Sequence, residues 1–148
     1  EDKVFPDGTP FPLGKIRILE DEGSDVALFC HGFVTGRVLE AAKKLKKEGL
    51  GVKVVEVATI KPLDNAGIAD VLKQTGCAVT IEDHTIINGL GSAIAEVISE
   101  GNPAYLVRLG LQDVYGESGF PEELLDAYGM SVEDIVQAAK KAHMQRQR

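Results

Sequence analysis

Four stretches of the chain are short, aliphatic or β-branched, and nearly free of charge: DVALFC (25–30), GVKVVEVA (51–58), CAVTIED (77–83) and AYLVRLG (104–110). Apolar residues at successive positions, rather than at alternate ones, suit strands buried on both faces, as parallel strands covered by helices are. Helical patterns lie between them. Thr35 is placed to cap a helix with Val38, Leu39, Ala42 and Leu45 on one side and Lys43, Lys46 and Lys47 outward, stopping at Gly49. Asp64 is placed to cap a second helix, with Ile68, Val71 and Leu72 inward and Gly76 just past its end. A third begins near Gly91 or Ser92, carries Ile94, Val97 and Ile98, and stops at Gly101. Strand and helix alternate at a spacing that predicts a mostly parallel sheet with right-handed crossovers and helices on both faces.

The two ends read differently. Pro121, Glu122 and Glu123 make a first helical turn suited to the helix dipole, and Gly129 ends that helix. Ser131 and Asp134 form a capping-box arrangement opening the last one. FPDGTPFPLG (5–14) is rich in Pro and Gly, and KIRIL (15–19) alternates, so residues 1–24 read as an extended arm leading into a short edge strand. Residues 25–148 then form a single α/β domain.

Composition narrows the function classes. A chain of 148 residues, 44% hydrophobic, is one domain's worth with a real core. A net charge of -7 supplies no basic field for nucleic acid or anionic lipid. The basic group Lys140, Lys141, Arg146 and Arg148 reads as a solvated helix end complementing the dipole. No apolar run approaches the roughly 20 residues of a spanning helix. The first residue is Glu1 rather than Met, which marks a processed chain or a fragment. Cys30 and Cys77 lie in apolar stretches without a CxxC pair, as buried free thiols do in a reducing compartment, with the cytoplasm expected.

Candidate chemistry is sparse. Cys30 and His31 resemble a thiol and its base, but neighbours on a strand point to opposite faces, so Cys30 is expected in the core and His31 at a strand end. His143 is expected to be solvated on a polar terminal helix. HGFVTG (31–36) occupies the strand-to-helix position where open α/β sheets bind ligands, yet it matches neither a P-loop nor GxGxxG. The segment IEDHTIINGLGSAIAEVI (81–98) is richer. Gly89, Leu90, Gly91 and Ser92 put two flexible backbone positions and a hydroxyl at a helix start, able to present N–H groups to an anion. Of the acidic and imidazole groups before it, only Glu82 and His84 share a strand face, and a metal would need a third ligand that the sequence does not supply. Glu82 and Glu117 are both expected beside surface turns. With Ser118, these residues are candidate anion or interface positions, against the simpler reading of a structural turn.

Several segments together resemble the C-terminal domain of transketolase: VEVATIKPLD (55–64), IEDHTIINGLGSAIAEV (81–97), VRLGLQDVYGESGFPEELLDAYGM (107–130) and IVQAAKKA (135–142). The likeness runs in order from Lys15 onward and is nearest to the split form made as two polypeptides. The C-terminal domains of 1-deoxyxylulose-5-phosphate synthase and of the 2-oxoacid dehydrogenase E1 β subunit share the layout. GESG (116–119), preceded by Asp113, leans toward transketolase. The family usually shows GGLG where this chain has Asn88 and Gly89, and Glu-Glu-His where it has Glu82, Asp83 and His84.

The resemblance implies a three-layer α/β/α sandwich whose five-stranded, mostly parallel sheet has an antiparallel edge strand. It implies a supporting domain of an enzyme that moves two-carbon ketol units between sugar phosphates in the pentose phosphate pathway. In that family thiamine diphosphate and Mg²⁺ lie between a diphosphate-binding and a pyrimidine-binding domain, and the C-terminal domain supplies no catalytic, cofactor or metal residue. The expected partners are those two domains or subunits, in a homodimer or heterotetramer, with no nucleic acid and no membrane. The metal motif beginning GDG is absent from the sequence. A different class of function is a stand-alone module binding a small anion at Gly89–Ser92.

Overall fold

The computed structural model of the chain describes residues 4–146. Its strands are β1 (Arg17–Asp21), β2 (Val26–Cys30), β3 (Val52–Glu56), β4 (Cys77–Thr85) and β5 (Tyr105–Leu111). Its helices are α1 (Thr35–Lys47), α2 (Asn65–Thr75), α3 (Leu90–Ser99), α4 (Pro121–Ala127) and α5 (Val132–Arg146). The sheet order is β1-β3-β2-β4-β5. Strands β2 to β5 run parallel, and β1 lies antiparallel on β3 with Arg17 opposite Glu56. The chain passes from β2 out to β3 and then crosses back over β2 to β4, so its direction of travel across the sheet reverses beside β2.

The period-two alternation of each strand sorts the core into two layers. Leu28, Cys30, Val54, Val79 and Ile81 face α1 and α5, meeting Val38, Leu45, Ile135 and Ala139. Ala27, Phe29, Val55 and Ala78 face α2 and α3, meeting Ile68, Leu72, Ile94 and Val97. Every residue of β2 is fully buried, as a central parallel strand with helices on both sides requires. Full burial of each large aliphatic side chain contributes about 1.5–3 kcal/mol. Both cysteines are free and buried. Burial pushes the Cys30 thiol up to about 12 and Cys77 up to about 11.

Local signals set most helix ends. The Asp64 side chain accepts from the Gly67 amide at the start of α2, and also from the Ile16 amide and Lys15, which ties the N-terminal arm to that helix. Ser131 and Asp134 exchange the reciprocal bonds of a capping box before α5. Thr35 differs from expectation. A short 3₁₀ turn (Gly32–Val34) runs directly into α1, and Thr35 sits inside the helix with its hydroxyl donating back to the Gly32 carbonyl. Continuous helical backbone removes the extended residue that a side-chain cap needs.

The basic C-terminal end is also not merely solvated. Arg146 donates to the Ser24 and Asp25 carbonyls and packs on Gly76, and Lys140 pairs with Glu48 at 2.6 Å. The His143 ring lies 3.2 Å from the Asp25 carbonyl, half-buried rather than free in solvent. These contacts lock α5 to the loop before β2 and to the end of α1. Arg148 lies outside the described residues. Among the described residues no helix is long and apolar enough to cross a membrane.

Candidate functional site

Residues 81–98 form the end of β4, a loop, and α3. β4 continues through Glu82, Asp83 and His84 to Thr85, with its register against β5 shifting between Ile81 and Thr85. Alternation sends Glu82 into the layer covered by α3. Its side chain is fully buried, which corrects the expectation of a surface turn. The reason lies in the next helix: the two Glu82 carboxyl oxygens accept from the Leu90 and Gly91 amides at 2.7 and 2.8 Å. Those are orphan donors of the first turn of α3, where the dipole also favours negative charge. The chain supplies its own anion to its own helix start.

The glycines follow from this close approach. Gly89 has an extended backbone, and Gly91 is in the helix; neither has a positive φ. A Cβ on Gly89 would lie 1.9 Å from Glu82 Oε2 and 2.9 Å from the Thr85 carbonyl. A Cβ on Gly91 would lie 2.7 Å from both Thr80 Oγ1 and Arg108 Cδ. Gly110 on β5 belongs to the same cradle, since a Cβ there would meet the His84 carbonyl at 2.7 Å and Glu82 Cγ at 3.1 Å. The left-handed residue of the loop is Asn88, at φ 59. Asn is among the few side chains that enter this region readily, which accounts for its standing where the family has glycine. The Asn88 amide donates to Ser92 Oγ, and Ser92 in turn donates to the Ile86 carbonyl, closing the loop onto the helix.

His84 reaches Glu82 only at 3.9 Å and lies 2.7 Å from the Thr85 carbonyl, with its ring more than half exposed. Arg108, opposite Thr80 in the β4–β5 register, extends over Gly91 and donates to the Ile86 carbonyl and toward Ser92. Arg108, Gly110 and Thr80 were not singled out by the sequence. A glycine inside an otherwise apolar strand is the one signal that could have marked Gly110. Thr80 Oγ1 is buried without a partner beneath α3.

The other candidates lie apart from this cradle. Glu117 and Ser118 are exposed on the loop before α4, where the Glu117 amide donates to the Tyr128 hydroxyl. His31 follows β2 and is half-buried, with Nε2 enclosed and unpartnered. The nearby depression, about 560 Å³ and lined by Gly32, Phe33, Gly36, Arg37 and Glu122, offers no spare cation among the described residues. Arg37 is committed to Glu122, Asp126 and the Met130 carbonyl, and so pins α4 to α1. Among the described residues no three His, Cys, Asp or Glu side chains converge as a metal site. Both helix starts on this face are closed from within, α2 by Asp64 and α3 by Glu82. The hydrogen bonds of this arrangement cap two helices and fix the loop before α3.

Comparison with known proteins agrees with this architecture. The family model described as "Transketolase, C-terminal domain" matches residues 14–135. A 6-deoxy-6-sulfo-D-fructose transketolase subunit from Clostridium sp. is 36% identical over 137 residues, covering 93% of this chain and 42% of the relative. A 1-deoxy-D-xylulose-5-phosphate synthase from Heliobacterium modesticaldum is 34% identical over 134 residues, covering 90% of this chain and 21% of the relative. A solved structure described as "Split gene transketolase, inactive beta4 tetramer" superposes with a TM-score of 0.91 at 41% identity, covering 98% of this chain and 47% of that one. The chain thus spans less than half the length of these relatives. The expected fold, a mostly parallel five-stranded sheet with an antiparallel edge, is the one observed, and it superposes on the solved split-gene transketolase chain.

Proposed function

The chain belongs to the transketolase C-terminal domain family, and from that premise we propose that it is the supporting, non-catalytic part of a thiamine diphosphate enzyme transferring two-carbon ketol units between sugars. The observation that carries this reading is the use of Glu82. A buried carboxyl beside a glycine-rich helix start is the feature of this chain that most resembles an active site, and its oxygens are both spent on the Leu90 and Gly91 amides. A diphosphate would have to displace that carboxyl and would meet its charge.

The residues present do not fit the implied cofactor. Thiamine diphosphate bound through Mg²⁺ needs a hard-cation site of several oxygen ligands. No such convergence of side chains exists among the described residues, and the starts of α2 and α3 are closed by Asp64 and Glu82. In this reading the cofactor belongs to the pyrimidine-binding and diphosphate-binding parts of the complete enzyme. The work of this chain is to hold those parts in the assembly, a homodimer or heterotetramer. The Clostridium relative is named for a sulfonated fructose, so the proposed substrates are anionic sugars, with sugar phosphates one case. Deoxyxylulose-phosphate synthesis is the second reading, favoured by the Heliobacterium relative.

Reconstitution tests the proposal. The complete enzyme, assembled with this chain, is expected to transfer ketol units in a coupled sugar assay, and each separated part is expected to be inactive. Activity of this chain alone would overturn it. Decarboxylation of pyruvate, with its remaining two-carbon unit condensed onto glyceraldehyde phosphate in place of ketol transfer, would select the second reading.

A further inference from the structure

The large apolar side chains that stay exposed are unevenly placed. Strands β2 to β5 run parallel, so the loops that follow them emerge together at one end of the sheet. Because β1 is antiparallel, the arm that leads into it lies at that same end, with Arg17 opposite the last residue of β3. The arm presents Phe11 and Leu13, the latter 71% exposed. In spatial order across the sheet, the loop after β3 presents Ile60, the one after β2 Phe33, and the one after β4 Ile87. The loop after β5 presents Tyr115, wholly exposed, and Phe120 at 73%. At the opposite end, among the described residues, exposed large apolar side chains reduce to Tyr105 and Met144.

We propose that this carboxyl end of the sheet is the docking surface for the half of the polypeptide that the solved split-gene chain carries beyond the part matched here, which on the reading above is the pyrimidine-binding domain. The inference rests on that reading and names the surface it uses. Three observations join. Every loop at this end contributes an apolar residue, whereas scattered exposed apolar residues would fall at both ends. Five strands at about 4.8 Å spacing make the row about 19 Å wide, the scale of a stable interface rather than of a small-molecule pocket. More than half of the solved chain lies outside the match, so an occupant of domain size exists in that relative.

Glu82 acts here as a positioning residue. By fixing the turn between β4 and α3, it sets where Ile87 stands in the row. Aromatic residues such as Tyr115 and Phe120 are typical interface anchors, rigid and large in contact area.

Hydroxyl-radical footprinting of this chain alone and within the complete enzyme tests the surface. Phe11, Phe33, Tyr115 and Phe120 are expected to oxidise at least about threefold more slowly in the enzyme, with Tyr105 and Met144 unchanged. A paired variant, Ile87→Ser with Tyr115→Ser, is expected to weaken assembly at least tenfold while the melting temperature of the isolated chain stays within about 1 °C. Assembly with protection at Tyr105 and Met144 instead would overturn the surface and leave the functional reading standing. Protection of the same row in the isolated chain on raising its concentration would assign the surface to a second copy and overturn the proposal. Absence of any assembly would overturn both.

Discussion

Replacing Glu82 by Ala removes the acceptor of two buried amides, those of Leu90 and Gly91. Each buried donor left without a partner costs about 1–3 kcal/mol. Loss of the favourable charge at the helix start adds up to about 1 kcal/mol. Water entering the vacated space returns part of this, so the expected net loss is about 3 kcal/mol, a large share of a domain's usual 5–15 kcal/mol. In melting temperature it corresponds to about 10 °C for a chain of this size. The same geometry makes Gly89 and Glu82 interdependent. Gly89→Ala forces a Cβ to within 1.9 Å of the carboxyl and is expected to cost at least about 2 kcal/mol. Once Glu82→Ala has removed the carboxyl, the two nearest obstacles are gone while the Thr85 carbonyl at 2.9 Å still opposes the new methyl, and the cost should fall by at least about 1 kcal/mol. Urea unfolding followed by far-ultraviolet circular dichroism suits the measurement, since the chain has no Trp. Additive effects within about 0.3 kcal/mol, or a Glu82→Ala cost below 1 kcal/mol, would refute the cap.

Three further outcomes follow from the same packing. Cys30 and Cys77 should react slowly with a thiol reagent until denaturant is added, because burial keeps both thiols protonated; rapid stoichiometric labelling would contradict this. Burial alone would raise the Asp64 carboxyl, but the Ile16 and Gly67 amides and Lys15 outweigh it and hold it below the ordinary range. Its contribution is therefore complete above about pH 4 and lost as pH falls through the lowered folded value, so the deficit of Asp64→Asn, about 1–2 kcal/mol at pH 7, should shrink in acid. Arg37→Met should cost about 1–2 kcal/mol and speed amide exchange in α4 selectively, because the guanidinium bonds the Glu122 and Met130 carbonyls as well as two side chains.

Much of the fold was legible because it is written locally. The apolar runs 25–30 and 51–58 contain β2 and β3, the runs 77–83 and 104–110 cover most of β4 and β5, and Asp64, Gly76, Ser131 and Gly129 mark helix ends by their own short-range chemistry. Glu82 was misread because its burial is set by partners eight and nine residues away whose approach depends on the glycines at 89 and 91. Thr35 was misread because a 3₁₀ turn and a capped start look alike in sequence. Arg146 and His143 find their carbonyl partners more than a hundred residues away, at the loop before β2, and no periodicity carries that pairing. The resemblance supplied what periodicity could not: the antiparallel edge.

The most direct test of the supporting role is isothermal titration of the isolated chain with thiamine diphosphate in the presence of Mg²⁺. The account predicts no saturable heat up to millimolar cofactor, with the chain folded throughout. Saturable binding in the micromolar range would place the cofactor on this chain and contradict the account.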